Sequence, residues 1–326
     1  MSELFIKQEL LPFLPTIDAV LFDVDGVLLD VSQSFRAAIC DTLQHYAVHH
    51  LELKSNYPLL TPEETEFFKF AGGFNDDWEL TGAAVMLVAA KTTQTEARDA
   101  QSIHELSPTW REYTDAVKRA GGGLARAEGV ILETLTPAQR RDFARSFNFK
   151  LVTRLFQEFY AGDDACRDLY GFEPQYVHGD GYYKRETVLI NPELLPAKLL
   201  YGVVTGRAVA ETRLALTQAK LLKHIPESAW ITPAIGPKKP DGRTLLAARE
   251  ALDFKNALYI GDIMDDLQTV FNYRELKGAG KARIAGAIAL SGPSGEAHKR
   301  QFLEAGADIV TPDVNTLLEY LRAVVK

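Results

Sequence analysis

The chain has 326 residues, 46% of them hydrophobic and 25% charged, which is the balance of an ordinary folded protein. Its 36 basic and 44 acidic residues give a net charge of −8, so it has no general attraction for nucleic acid or for an anionic membrane surface. Two cysteines cannot build a disulfide framework, the longest apolar run is too short to cross a bilayer, and the opening residues do not resemble an export signal, so we expect a cytoplasmic globular protein of one or two domains.

The first predicted element is a strand over residues 19–23, which ends in Asp23-Val-Asp25-Gly26. A short, unbroken apolar run is typical of a strand buried on both faces of a parallel sheet. Ligands of open α/β sheets bind at the carboxyl ends of the strands. Two carboxylates spaced two residues apart take different positions there, so one can attack while the other handles a proton or frames a metal.

Helical spacing replaces the strand pattern from about residue 32 to residue 185. Helices are predicted over 32–50, 80–91, 110–119 and 152–160. Thr61-Pro62 and Thr136-Pro137 are typical helix starts. We therefore predict an all-helical domain at 32–185, inserted into a discontinuous domain formed by 1–31 and 186–326.

Short apolar strands return after residue 186. They are predicted near 201–205, 257–261, 285–290 and 308–310. Each is followed by turn residues and a helical stretch, and this alternation predicts a Rossmann-like, doubly wound parallel sheet. The fold class is therefore α/β with an inserted helical domain.

A second group of carboxylates, Asp262, Asp265 and Asp266, follows the strand at 257–261. If this strand lies beside the first one, Asp262 faces Asp23 across the edge of the sheet. Carboxylate oxygens are preferred ligands of Mg²⁺, so the pattern predicts a magnesium site. The alternative is that these acidic residues only cap the helices that follow them.

Two segments offer groups that bind a phosphate. Thr205-Gly206 ends a predicted strand and presents a hydroxyl and backbone N–H groups. Lys239 precedes Pro240, which opens the next helical stretch, so its ammonium could reach the same edge. A solvated surface lysine is the alternative for Lys239.

Together, these four segments resemble the haloacid dehalogenase superfamily, in its phosphatase branch with a cap inserted after motif one (subfamily IA, similar to phosphoglycolate phosphatases). The four motifs are matched by Asp23-Val-Asp25-Gly, Thr205-Gly206, Lys239-Pro and Gly-Asp262 with Asp266 four positions on. The resemblance covers residues 17–30 and 186–326. It implies a catalytic core with a helical cap domain.

The resemblance also implies roles for the carboxylates. Asp23 would be the nucleophile that forms an aspartyl-phosphate, and Asp25 the general acid for the leaving alcohol and then the base for water. Mg²⁺ would be held by Asp23, Asp262 and the main-chain carbonyl of Asp25, with Asp266 bound directly or through water.

The phosphoryl oxygens would be held by Thr205, Gly206 and Lys239. Attack of a carboxylate on a phosphate dianion is repulsive unless cations neutralise the charge, which agrees with a site that combines an ammonium and a metal ion. The implied substrate is a small phosphorylated metabolite, with no nucleic-acid or membrane partner. The oligomeric state is left open.

Other functions remain in play at this point. A sugar phosphomutase or phosphotransferase would use the same core, and a non-catalytic binding subunit would have lost one or more site residues. A phosphonate hydrolase would use a cap lysine, such as Lys54, Lys69 or Lys91, as a Schiff base. Asp25 disfavours a dehalogenase, which lacks that carboxylate.

Four residues of the predicted cap are candidates for substrate specificity. Arg36 is placed to meet an anionic group, Asn75 and Trp78 lie in a polar and aromatic segment, and Lys184 lies where the cap rejoins the core. Their alternatives are a solvated helix face, a helix cap with core packing, and an exposed connector. The basic, glycine-containing stretch 273–283 is interpreted as a surface loop or an oligomer contact.

Overall fold

The computed structural model describes residues 3–54, 57–74, 76–292 and 295–325. The chain forms two compact units, Met1–Val31 with Glu186–Lys326, which we call the core unit, and Ser32–Arg185, which we call the helical unit. In the described ranges, no helix is both long enough and apolar enough to cross a membrane.

The strands belong to the core unit. In the described residues they are β1 (Phe5–Ile6), β2 (Ala19–Phe22), β3 (Leu29–Asp30), β4 (Thr187–Val188), β5 (Leu200–Val204), β6 (Trp230–Ile231), β7 (Asn256–Gly261), β8 (Arg283–Ala289) and β9 (Ile309–Thr311). Seven of them form one sheet in the order β1-β9-β8-β7-β2-β5-β6, which is parallel except for β1. β3 and β4 form a separate antiparallel pair.

The helices divide between the two units. The helical unit contains α1 (Phe35–His49), α2 (Thr65–Ala71), α3 (Asp77–Gln94), α4 (Ala100–Glu105), α5 (Trp110–Arg119), α6 (Leu124–Thr134), α7 (Pro137–Ser146) and α8 (Phe149–Tyr170). The core unit contains α9 (Val209–Gln218), α10 (Arg243–Leu252), α11 (Met264–Glu275), α12 (Lys299–Ala305) and α13 (Val314–Val324).

Both faces of β2, an interior strand of the sheet, are buried. Phe22 belongs to an apolar cluster that includes Leu317 of α13, whereas its neighbour Leu21 belongs to a second cluster that includes Leu245 of α10. Successive side chains of a strand point to opposite faces, so helices cover the sheet on both sides. The predicted α/β fold, a doubly wound parallel sheet, is confirmed.

Two strands of the main sheet are not predicted from the sequence pattern. β1 and β6 have two residues each, which is too short to show either alternation or an apolar run. β6 extends the sheet beyond β5, and β1 joins the opposite edge in the antiparallel direction. Their pairing is set by the neighbouring strands rather than by local sequence.

The helical unit is built around α3. Its residues from Leu80 to Thr92 are all buried, and the helix packs against α1, α6, α7 and α8. A helix that is apolar on all sides is expected at the centre of a bundle. The apolar run that is too short for a membrane span therefore serves as the core of this unit.

Helix α8 extends further than the sequence indicates. The predicted helix at 152–160 continues to Tyr170, through a non-helical Gly162 with φ of 65°. A Cβ atom at Gly162 would lie 2.1 Å from the backbone nitrogen of Gly181, so this glycine permits both the kink and the close approach of the later segment.

Lys91 is a buried lysine within α3. Lys91 is 3% exposed. Its Nζ donates to the carbonyl oxygen of His104 at 3.3 Å and lies 6.0 Å from the centre of the Trp110 ring. Burial lowers the pKa of Lys91 to about 8, although the Glu112 carboxylate opposes this shift. The folded state therefore disfavours the charged amine.

Replacing Lys91 with methionine should change how stability depends on pH. Between pH 7 and pH 10 the unfolded chain holds a proton that folded Lys91 releases, so the wild-type protein should gain about 2 kcal/mol relative to Lys91→Met. Urea unfolding at several pH values measures this difference. Lys118→Met, on the exposed side of α5, is the control. Parallel pH curves for wild type and Lys91→Met would mean that Lys91 stays charged when folded.

Candidate active site

Three of the motifs follow three adjacent strands of the core unit. β2 lies between β5 and β7, with Phe22 opposite both Val203 and Ile260. Asp23, Thr205 and Asp262 come directly after these strands. The backbone nitrogen of Asp23 donates to the carbonyl oxygen of Ile260 at 2.8 Å. The parallel register thus places all three residues at one edge of the sheet.

Three carboxylates converge at this edge. One oxygen from each of Asp23, Asp262 and Asp266 lies within 4.8 Å of the others, and these residues are 5%, 4% and 1% exposed. Burial raises the pKa of Asp262 well above its usual value, and the neighbouring carboxylates of Asp266 and Asp23 add to the effect. The cluster therefore carries more negative charge than its surroundings can stabilise without cations.

Lys239 supplies one of these cations. Its Nζ lies 2.8 Å from Oδ2 of Asp23 and 2.7 Å from Oδ1 of Asp266. Burial alone would lower the pKa of Lys239, but the two carboxylates raise it well above its usual value, so the amine stays protonated. The lysine is held at the site and is not a solvated surface residue.

Asp23 is held by two contacts beside Lys239. Burial raises its pKa to about 7; Lys239 opposes this rise, while Asp266 and Asp25 add to it. Its Oδ1 accepts a hydrogen bond from the backbone nitrogen of Val24 at 2.8 Å. Both oxygens of Asp23 are therefore oriented, one by the backbone and one by Lys239.

Asp266 has its hydrogen-bonding capacity filled by protein groups. Oδ1 accepts from the hydroxyl of Tyr259 at 2.6 Å and from Lys239 at 2.7 Å, and Oδ2 accepts from the backbone nitrogens of Asp262 at 3.1 Å and Ile263 at 3.2 Å. A carboxylate offers about four lone-pair sites, so all four are used. Asp266 thus orients Lys239 and the turn that carries Asp262.

The carboxylate of Asp262 lies between two glycines. A Cβ atom would lie 2.1 Å from its Oδ2 if added to Gly26, and 2.0 Å if added to Gly292. Gly26 also has a φ of 72°, which other residues rarely adopt. The hydroxyl of Ser291 donates to the carbonyl oxygen of Gly26 at 2.8 Å, so the 291–292 loop is joined directly to motif one.

The carboxylate oxygens of this cluster suit a divalent cation of the Mg²⁺ type. Asp23 and Asp262 present hard carboxylate oxygens close together, and such oxygens are preferred by Mg²⁺. The glycines leave no space for side chains around Asp262 and hold its position. Asp266 fits less well as a direct ligand, because its oxygens already accept four hydrogen bonds.

Thr205 and Gly206 lie beside this cluster. Thr205 is 5% exposed, and its hydroxyl accepts a hydrogen bond from the backbone nitrogen of Arg207 at 3.2 Å. Gly206 is exposed. A hydroxyl that accepts from the backbone keeps its own proton available as a donor, which suits contact with an anion.

Sequence reasoning missed a buried ion-pair network around Asp25. Nε and Nη2 of Arg207 lie 2.8 and 2.7 Å from Oδ1 of Asp25, and Nη2 also lies 2.9 Å from Oε1 of Glu186. Arg207 directly follows Thr205-Gly206, which was the available signal. Nothing in the local pattern pairs it with Asp25, which is 182 positions earlier.

Three of the four specificity candidates, Arg36, Trp78 and Lys184, lie in the helical unit. Arg36 pairs with Glu66 at 3.0 Å, half-buried Trp78 packs edge-on against Phe156, and Lys184 pairs with Asp164 at 2.8 Å and Asp180 at 2.7 Å. Asn75 lies outside the described residues. Arg36 and Lys184 thus have acidic partners within their own unit.

The basic stretch 273–283 is predicted from the sequence to be a surface loop or an oligomer contact. It begins with the last turn of α11, contains a short 3₁₀ helix at Ala279–Lys281, and leads into β8. Tyr273 is buried there, with its hydroxyl 3.2 Å from the carbonyl oxygen of Ala282. The segment therefore also contributes to the core.

The chain shares its fold with solved structures of other proteins. Phosphatase Tt82 from Thermococcus thioreducens is 23% identical with a TM-score of 0.58, over 94% of this chain and 98% of that one. A Northeast Structural Genomics Consortium target is 16% identical with a TM-score of 0.61, over 92% and 97%. At these identities the likeness concerns the fold alone. No protein-family model matches the chain.

A curated relative is longer than this chain. Imidazoleglycerol-phosphate dehydratase from Phytophthora nicotianae is 24% identical over an alignment 324 positions long, which covers 94% of this chain and 53% of that protein. The chain thus spans about half the length of this relative. The relative's name describes the activity of that longer protein.

Proposed function

We propose that this chain, which has the fold of the haloacid dehalogenase superfamily, is a Mg²⁺-dependent phosphatase that hydrolyses a small phosphomonoester through an aspartyl-phosphate. The observation that carries the proposal is the position of Asp23. Its carboxylate lies 2.8 Å from the Lys239 ammonium and within 4.8 Å of Asp262 and Asp266. Residues 1–31 and 186–326 would form the catalytic core, and residues 32–185 the cap domain.

The first step would be attack of Asp23 on phosphorus. An oxygen of Asp23 forms the new P–O bond, the bond from phosphorus to the alcohol oxygen breaks, and Asp25 gives its proton to that oxygen. Lys239 stabilises the charge on the phosphoryl oxygens, together with the hydroxyl of Thr205 and the backbone N–H of Gly206. This division of one displacement into two is the advantage of covalent catalysis.

The second step would release phosphate. Asp25, now a carboxylate, takes a proton from water, whose oxygen attacks phosphorus, and the bond to Asp23 breaks. Asp23 and Asp262 would hold Mg²⁺ with the main-chain carbonyl of Asp25, and Asp266 would act through water or through Lys239. Bound Mg²⁺ would supply the positive charge that lets a carboxylate approach a phosphate dianion.

A hydrolysis screen tests this function. The purified protein is incubated with phosphorylated metabolites, including phosphoglycolate and sugar phosphates, with Mg²⁺ and after chelation. We expect phosphate release from one or a few compounds, loss with chelator and recovery on addition of Mg²⁺. Release that persists in chelator would contradict the metal assignment. Phosphoryl transfer to an added sugar, without release of phosphate, would favour a phosphotransferase.

A further inference from the structure

Arg207 is a buried cation that joins two acidic side chains. Its side chain is 1% exposed and lies in the loop that follows β5. One edge of the guanidinium, Nε and Nη2, meets a single oxygen of Asp25, at 2.8 and 2.7 Å. The planar guanidinium presents its N–H groups in a fixed arrangement, so this contact restricts the rotation of the Asp25 carboxyl group.

Glu186 holds Arg207 in place. It is the first residue of the core unit after the helical unit, its side chain is fully buried, and its Oε1 lies 2.9 Å from Nη2 of Arg207. Thr187 and Val188, which follow it, pair with β3. One end of this link, Glu186, thus leads into β4, and the other end, Asp25, follows β2.

The contact leaves the two oxygens of Asp25 unequal. Oδ1 accepts two N–H groups from Arg207, so it has little capacity to carry a proton in the same plane. Both contacts of the Asp25 carboxyl group with Arg207 go to Oδ1, and the Asp25 side chain is 33% exposed. Oδ2, which does not share these contacts, is therefore the oxygen available to a leaving group or to water.

We propose that Arg207, braced by Glu186, is a positioning residue that fixes the Asp25 carboxyl group so that Oδ2 exchanges the proton. This inference rests on the proposed phosphatase function. When the bond between phosphorus and the alcohol oxygen breaks, the proton of Oδ2 goes to that oxygen and Asp25 becomes a carboxylate beside the guanidinium. In the hydrolytic step Oδ2 takes a proton from water.

Two esters that differ in their need for a proton test the proposal. The leaving group of an alkyl phosphate is an unstable alkoxide unless its oxygen receives a proton. The leaving group of p-nitrophenyl phosphate is a stable phenolate. In Arg207→Gln, we expect kcat/KM to fall about 100-fold for the alkyl ester and less than about 3-fold for p-nitrophenyl phosphate, because general acid catalysis contributes at least this much. kcat/KM includes only steps up to the formation of the aspartyl-phosphate.

Further variants separate positioning from damage to the fold. Arg207→Gln combined with Glu186→Gln removes both buried charges and should show the same difference between esters with wild-type thermal stability. In an Asp25→Asn background, adding Arg207→Gln should cause little further loss, since the two residues act as one unit. Glu186→Gln alone keeps an oxygen acceptor for Arg207 and should retain most of the alkyl phosphatase activity.

The outcomes are distinguishable. Equal losses with both esters, or wild-type activity of Arg207→Gln on the alkyl ester, would overturn the positioning role while leaving the phosphatase function intact. A wild-type protein that hydrolyses neither ester with Mg²⁺ present would overturn the proposed function and this inference with it.

Discussion

Asp23→Asn is expected to lower kcat by about 10⁴-fold or more, since an amide cannot form the aspartyl-phosphate on which turnover depends. The fold should persist. The asparagine carbonyl can still accept from the backbone nitrogen of Val24, and burial already disfavours the charged form by raising the pKa of Asp23 to about 7. Initial rates with the best substrate of the screen, together with circular dichroism, measure both effects.

The control for this experiment is Asp168→Asn, an exposed aspartate of α8. Both variants are purified in parallel, and Asp168→Asn should keep the wild-type rate, so a loss confined to Asp23→Asn is not caused by the purification. Turnover by Asp23→Asn within tenfold of wild type would mean that another group attacks phosphorus.

Lys239→Met should reduce both activity and stability. The variant leaves Asp23 and Asp266 without the ammonium that lies 2.8 and 2.7 Å from them. We expect kcat/KM to fall about 10³-fold, because charge on the phosphoryl oxygens loses its stabilising partner. Removing one member of a buried ion pair should also lower the free energy of unfolding by about 3 kcal/mol in the absence of Mg²⁺.

Urea unfolding with and without Mg²⁺ measures the second effect. Because a cation at Asp23 and Asp262 would replace part of the lost positive charge, Mg²⁺ should stabilise Lys239→Met more than it stabilises the wild type. Lys238→Met, at the exposed neighbouring position, is the matched control and should resemble wild type in both assays. Equal behaviour of the two lysine variants would remove Lys239 from the site.

The sequence predicts the parts of the site that follow directly from strand ends. An unbroken apolar run marks β2 and β7 as buried strands, and parallel pairing brings whatever follows them to one edge. The convergence of Asp23 and Asp262 could therefore be anticipated, because each residue directly follows a predicted strand.

The supporting contacts could not be anticipated in this way. Tyr259 belongs to an apolar strand, and its bond to Asp266 depends on the side of β7 that its hydroxyl occupies. Arg207 meets Asp25, and Glu186 meets Arg207, only after two strands and the whole inserted unit have been placed. Such polar contacts depend on tertiary geometry, which periodicity and spacing do not encode.

The pairing of β3 with β4 has a consequence for how this architecture varies. Leu29 lies opposite Val188 and Asp30 opposite Thr187, so the inserted segment leaves and re-enters the core unit at two neighbouring strands. In topological terms, residues 32–185 are an enlarged hairpin loop. Loop-closure entropy grows only slowly with loop length, so segments of very different size can occupy this position without altering the register of the sheet. The core unit can thus accept insertions of different length between β3 and β4.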